Sequence, residues 1–156
     1  MPDTTSALSN DGTARTANKR LRATSGVLTV TDLEALDASG AITAAISLED
    51  GQIQPASMDL RLGPVAYRVR SSFLPLEGNT VRDKLDRYTM HAIDLTKGAV
   101  LERHCFYVVP LLESLKLPKG LGGTTNPKSS TGRLDVFTRV IVDGATGFDT
   151  VPAGYD

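Results

Sequence analysis

Tryptophan is missing from this 156-residue chain, cysteine occurs once, histidine twice, and the aromatic complement is four Tyr and four Phe. Each shortage excludes something. With Cys105 alone, no intrachain disulfide can form and no cysteine-based zinc site is available. His91 and His104 have no acidic or cysteine cluster beside them, which makes a poor metal centre and gives no Ser-His-Asp triad a motif context; both read as structural or exposed. The formal net charge is −1, so the chain has no general attraction for nucleic acid or an anionic membrane. Any polyanion site must come from locally concentrated Lys and Arg. No apolar run approaches the length of a membrane span, and the amino terminus lacks the apolar core of a signal peptide, so a cytoplasmic protein is expected. Rossmann and P-loop glycine spacings do not occur.

What is there suits one ordinary domain. The hydrophobic fraction is 40% and the charged fraction 22%, near globular averages, and scarce aromatics leave the core to Val, Leu and Ile. Residues 1–25 are rich in Thr, Ser, Ala, Asn and Asp without an apolar period and read as a flexible tail, with Lys19, Arg20 and Arg22 a solvated basic cluster. The domain is expected over residues 26–156. Thr31-Asp32-Leu33-Glu34 matches a capping box, and Leu36 followed by Gly40 suits a short helix and its stop. Met58 to Leu62 alternates as a half-buried strand, Gly63-Pro64 breaks it, and Val65, Tyr67 and Val69 continue the alternation. Asp59 and Arg61 share a face there and read as an exposed ion pair. Thr80 caps a second helix carrying Val81, Leu85 and Tyr88. Further strands are predicted at Met90–Leu95, Ala99–Leu101, Phe106–Leu112, Leu121–Thr125 and Val136–Val142, with Cys105 packed in a buried strand. Many short strands with one or two short helices predict a mainly β domain, a compact barrel or jelly roll.

One stretch concentrates chemistry: Asn126-Pro127-Lys128-Ser129-Ser130-Thr131-Gly132-Arg133-Leu134-Asp135-Val136. Its serines could cap a helical turn whose unpaired N–H groups face an anion. In such a turn Ser129 and Arg133 lie on one face, so the guanidinium fork reaches what the serine holds, and Lys128 adds a point charge. The alternative is a polar loop between strands with a structural serine cap.

Three blocks, taken in order, resemble one family. Ile53-Gln54-Pro55-Ala56-Ser57-Met58-Asp59-Leu60-Arg61-Leu62-Gly63 is similar to the first motif of the dCTP deaminase and dUTPase superfamily. Lys128-Ser129-Ser130-Thr131-Gly132-Arg133 resembles its Arg-Ser-Ser-x-Ala-Arg motif, with Lys and Gly substituted. Phe148-Asp149 with Pro152-Ala153-Gly154-Tyr155 resembles its Ile-Asp-Pro-Gly-Trp/Tyr turn. The longer bacterial dCTP deaminase type, with its fold in tandem, is the most similar.

The resemblance implies a distorted β-barrel of the dUTPase (β-clip) kind, a homotrimer with sites between subunits, and hydrolysis of dCTP to dUTP and ammonia. It implies magnesium carried on the triphosphate and no zinc, in keeping with the missing His-x-Glu and Pro-Cys-x-x-Cys signature of zinc nucleobase deaminases. By carry-over Lys128, Ser129, Ser130 and Arg133 hold the triphosphate, with Ser129 and Arg133 helping to order the attacking water. Asp149 receives the deoxyribose 3′-hydroxyl, the backbone near Val142 lies by the pyrimidine, and Asp59 matches the first-motif acid. In the family the general base is a Glu on the strand after the Gly-Tyr turn, expected beyond Asp156. The chain is therefore expected to be an amino-terminal fragment with an incomplete barrel and, by itself, no deaminase activity, since a positioned base contributes about a hundredfold to ten-thousandfold in rate. A dUTP diphosphatase and a non-catalytic nucleotide-binding trimer scaffold stand beside the deaminase reading. Arg133 directly after Gly132 favours the deaminase over the diphosphatase.

Overall fold

The computed structural model describes residues 25–156, so the expected tail lies outside the described residues but for its last position. The cap of helix α1 (Val30–Ala38) lies two residues before the predicted one. Thr29 is the cap: its N–H and hydroxyl donate to Asp32 Oδ2 at 3.1 and 2.8 Å. Thr31 falls inside the first turn, because the shorter Asp side chain at the third position closes the reciprocal bond as well as Glu does. Leu36 is the buried anchor, 2% exposed, and Gly40 at φ +76° ends the helix in the left-handed conformation that glycine adopts without strain. The second helix is as the spacing predicts. In α2 (Val81–Tyr88) the Asp83 N–H donates to Thr80 Oγ1 at 3.1 Å, the Thr80 N–H returns a bond to Asp83 at 2.8 Å, and Leu85 is buried. A third helical segment, α3 (Ser129–Gly132), is a single turn.

The strands form three small antiparallel sheets. Strand β1 (Ile42–Ala44) pairs with β5 (Glu113–Leu115), setting Ile42 opposite Leu115 and Ala44 opposite Glu113. The largest sheet has β2 (Val65–Val69) between β3 (Thr89–Asp94) and β4 (Phe106–Val108). An irregularity between Arg68 and Val69 breaks strict alternation in β2, which is how Ala66 and Val69, three positions apart, are both buried. Strand β6 (Gly123–Thr124) pairs with β7 (Thr150–Val151). Gly122 lets these chains meet: a Cβ there would stand 2.9 Å from the Val151 carbonyl oxygen. The architecture is mainly β as expected, and its sheets do not close on one another among the described residues.

Several local expectations are corrected. Met58–Leu62 is not a strand; it makes isolated bridges through Met58 to Ile53 and through Leu62 to Leu111. The alternation has another cause: the segment is pinned by a buried polar network in place of a ladder. Ala99–Leu101 and Val136–Val142 are irregular, with Val100 89% and Phe137 91% exposed, so apolar runs of strand type found no partner edge. Cys105 precedes β4 and is only half buried. Its Sγ accepts a bond from the Arg68 guanidinium at 3.0 Å and lies 3.8 Å from the Glu102 carboxylate, a polar setting in place of the expected apolar one. His91 and His104 are exposed, as read from sequence.

Candidate functional site

The site is assembled around a buried knot. Gln52 and Glu113 are 5% and 8% exposed, and Gln52 Nε2 donates to Glu113 Oε1 at 2.7 Å and to the Asp59 carbonyl at 2.9 Å. The Asp59 N–H donates back to the Gln52 carbonyl at 3.0 Å. Arg61 completes the knot from the next outward position. Its N–H donates to Glu113 Oε2 at 2.9 Å, its Nε to Oε1 at 2.8 Å, and its Nη2 to the Ile46 carbonyl at 2.7 Å. Burial raises the Glu113 pKa, but the bonds from the Arg61 N–H, its guanidinium and the Gln52 amide outweigh that and hold the carboxyl below the usual range. Asp59 and Arg61 are thus not partners of each other. Arg61 turns inward to Glu113, with Glu49 3.4 Å away at the surface, and Asp59 turns outward with its backbone fixed on both sides.

What Asp59 faces is Lys128: the ammonium donates to Asp59 Oδ2, so the first and second sequence blocks meet in space across 69 residues. Lys128 is also the N-cap of α3, in extended conformation, so the serine cap predicted for this turn does not form. Thr131 does the local bonding instead, its hydroxyl donating to the Lys128 carbonyl at 2.6 Å. The Arg133 N–H donates to the Ser129 carbonyl at 3.1 Å, which sets Ser129 and Arg133 one turn apart as expected. Among the described residues, the side chains of Ser129, Ser130 and Arg133 have no hydrogen-bond or ion-pair partner, and all three are exposed. Their donors are available to a ligand.

Asp149 is held at the root of the same loop. It sits at φ +62°, the left-handed region, where Asp is among the few residues tolerated. Its N–H donates to the Val140 carbonyl at 2.8 Å and its carbonyl accepts from the Thr125 N–H at 3.0 Å. Its Oδ1 accepts from the Val140 N–H at 2.8 Å and from Thr125 Oγ1 at 3.2 Å, and Oδ2 pairs with Arg139 Nε. A cleft of about 30 Å³ opens here, lined by Asn126, Pro127 and Thr138 beside the groups just named. Val142 follows two residues after Val140. Its carbonyl accepts from the Ala145 N–H at 3.2 Å in a turn, and its own N–H has no partner among the described residues.

The structure therefore links Asp59 to Lys128 directly and Asp149 to the 125–127 approach to α3. The sequence reading missed Gln52, Glu113, Thr125 and Arg139. One signal was available for Glu113: a lone carboxylate in the largely apolar run Val108–Leu117 requires a buried donor, and Arg61, between Leu60 and Leu62, was one of the few cations with apolar neighbours on both sides. Arg139 and Thr125 carry no local signal, because their role depends on a carboxylate distant in sequence. No group of three or more His, Cys, Asp or Glu among the described residues is placed to hold a metal ion, and no described helix is long and apolar enough to cross a membrane.

Residues 24–156 match the model of the 2′-deoxycytidine 5′-triphosphate deaminase (DCD) N-terminal domain. A crystal structure of 2′-deoxycytidine 5′-triphosphate deaminase from Agrobacterium tumefaciens is 54% identical and superimposes with a TM-score of 0.81 over 83% of this chain. The chain spans 39% of the length of that protein. With a family match over most of its length and a structural neighbour 54% identical, this chain belongs to the dCTP deaminase N-terminal domain family.

Proposed function

We propose that this chain supplies the nucleotide-gripping part of a hydrolase that converts dCTP to dUTP and ammonia in pyrimidine deoxynucleotide synthesis. The family match over residues 24–156 carries the reading, and the free donors of Ser129, Ser130 and Arg133 beside Lys128 supply the chemistry it needs. A triphosphate is met by one point charge, one planar fork and two hydroxyls on a single turn, an arrangement that binds oxygens of fixed spacing. Ser129 and Arg133, one turn apart, also order the water that attacks C4 of the base. Asp149 takes the sugar 3′-hydroxyl, and the backbone at Val142 lies along the pyrimidine edge. Magnesium travels on the phosphates, where it screens their charge; the described residues build no carboxylate cluster for it.

Proton transfer to the ring and the departing amine needs a carboxylate of its own. Asp59 is engaged by Lys128, and Asp149 by Arg139, Thr125 and the Val140 N–H, so both are committed to binding and orientation. The base is a residue outside this set. The exposed apolar side chains of Leu134, Val136 and Phe137 just past Arg133 suit a contact with another subunit, in keeping with a homotrimer whose sites lie between copies. Incubating the whole protein separately with dCTP and dUTP tests the reading. Ammonia from dCTP is expected; pyrophosphate from dUTP alone would identify a diphosphatase, and binding without turnover a scaffold.

A further inference from the structure

We propose that Arg139 is a positioning residue that acts through Asp149, fixing its carboxylate to accept one sugar hydroxyl in the cleft beside Thr125; the proposal rests on the nucleotide reading above. Three donors from three directions converge on this one carboxylate. The Val140 N–H and Thr125 Oγ1 take Oδ1 at 2.8 and 3.2 Å, and Arg139 Nε takes Oδ2. Arg139 is itself held: its guanidinium carbon lies over the Phe148 ring, 5.3 Å from its centre, while its Nε pairs with the neighbouring Asp149. With both oxygens engaged the carboxylate cannot rotate, and of its about four acceptor sites the one left over, on Oδ2, is aimed in a fixed direction.

The cleft beside the carboxylate is small: at about 30 Å³ it has room for a group of water or hydroxyl size next to Asp149. The Asp149 side chain is 19% exposed and Arg139 52%, so the acceptor is sheltered while the residue orienting it lies at the rim. A carboxylate held this way favours a ligand that brings a hydroxyl, because the donor adds a charge-assisted hydrogen bond at the remaining Oδ2 site without any cost of reorienting the acceptor. The discriminated feature is a 3′-hydroxyl against a 3′-hydrogen.

The test is the ratio of dissociation constants for dCTP and 2′,3′-dideoxy-CTP, measured by calorimetry on the whole protein with magnesium. The wild type is expected to favour dCTP by about tenfold. Arg139→Ala is expected to bring the two within about twofold by weakening dCTP alone, and Thr125→Val to reduce the ratio by a smaller factor. A purely structural role for Arg139 would weaken both nucleotides equally and leave the ratio intact, which overturns the proposal while sparing the function. Tighter dCTP binding in Arg139→Ala also overturns it, since the arginine would then be blocking the carboxylate. A wild-type ratio of one overturns the assignment of Asp149 and the proposal with it. If the alanine variant does not fold, Arg139→Met keeps the stem against Phe148 and carries the same comparison.

Discussion

The knot of Gln52, Arg61 and Glu113 and the turn from Lys128 to Arg133 use much the same chemical groups to opposite ends. In the knot the described donors and acceptors are matched inside the fold, with the Glu113 carboxylate taking bonds from Arg61 and Gln52. In the turn the Arg133 fork and two serine hydroxyls face outward with no protein partner among the described residues. A polar group that is internally satisfied fixes backbone, and one left unsatisfied at the surface is available for a ligand. The single bond from Lys128 to Asp59 joins the two regions.

The comparison breaks most easily at Glu113. Glu113→Ala removes the acceptor shared by Arg61 and Gln52 and is expected to cost about 3–5 kcal/mol, read from urea denaturation. A loss under about 1 kcal/mol would mean the Asp59 segment is held by its backbone bonds alone. Arg133→Ala is the counterpart. It removes nothing the fold uses, so the denaturation midpoint should stay at the wild-type value. Meanwhile, in the whole protein, dCTP affinity and ammonia release should fall by about tenfold to a hundredfold, the range for a charged hydrogen bond. Equal effects on stability and binding would show that the turn also has a structural task.

Acid titration sharpens the same contrast. Glu113 has a folded pKa held below its ordinary value of 4.5. The folded state thus prefers the ionised form, and this group contributes stability that is complete above the ordinary value and disappears as pH falls through the lower folded value. Stability should therefore decline on the acid side more steeply in the wild type than in Glu113→Gln, which cannot titrate. Parallel acid limbs for the two proteins would remove Glu113 from the account of acid unfolding.

The two regions were unequally legible in the sequence. The turn is legible as an i, i+4 arrangement of Ser129 and Arg133 because helical geometry is local, although Lys128 takes the N-cap position and no side chain caps the turn. The helix at Val81–Tyr88 was legible for the same reason. The knot was not. Asp59 and Arg61 looked like partners on one strand face, whereas each answers to a residue 69 or 52 positions away. Alternation of apolar and polar residues in Met58–Leu62 suggests a ladder, whereas the segment makes only isolated bridges and its two polar side chains part, Arg61 inward to a buried carboxylate and Asp59 outward to Lys128. Val136–Val142 failed differently: its composition suits a strand, but a strand also needs an edge, and composition does not report edges.

The smallest expected effect is also the one that tests the bond between the regions. Asp59→Asn keeps the side-chain volume and leaves the backbone on Gln52, so Lys128 loses its counter-charge without the segment shifting. Both side chains are well exposed, at 41% for Asp59 and 65% for Lys128, so the cost in stability should not exceed about 1 kcal/mol. In the free protein Asp59 competes with any phosphate for the ammonium. Its removal should then tighten pyrophosphate binding by up to about fivefold at low ionic strength, with the gain fading as salt screens the charges. Weaker pyrophosphate binding would reverse the role: Asp59 would then be holding Lys128 in the conformation that receives the phosphate, and the knot would extend its order into the site.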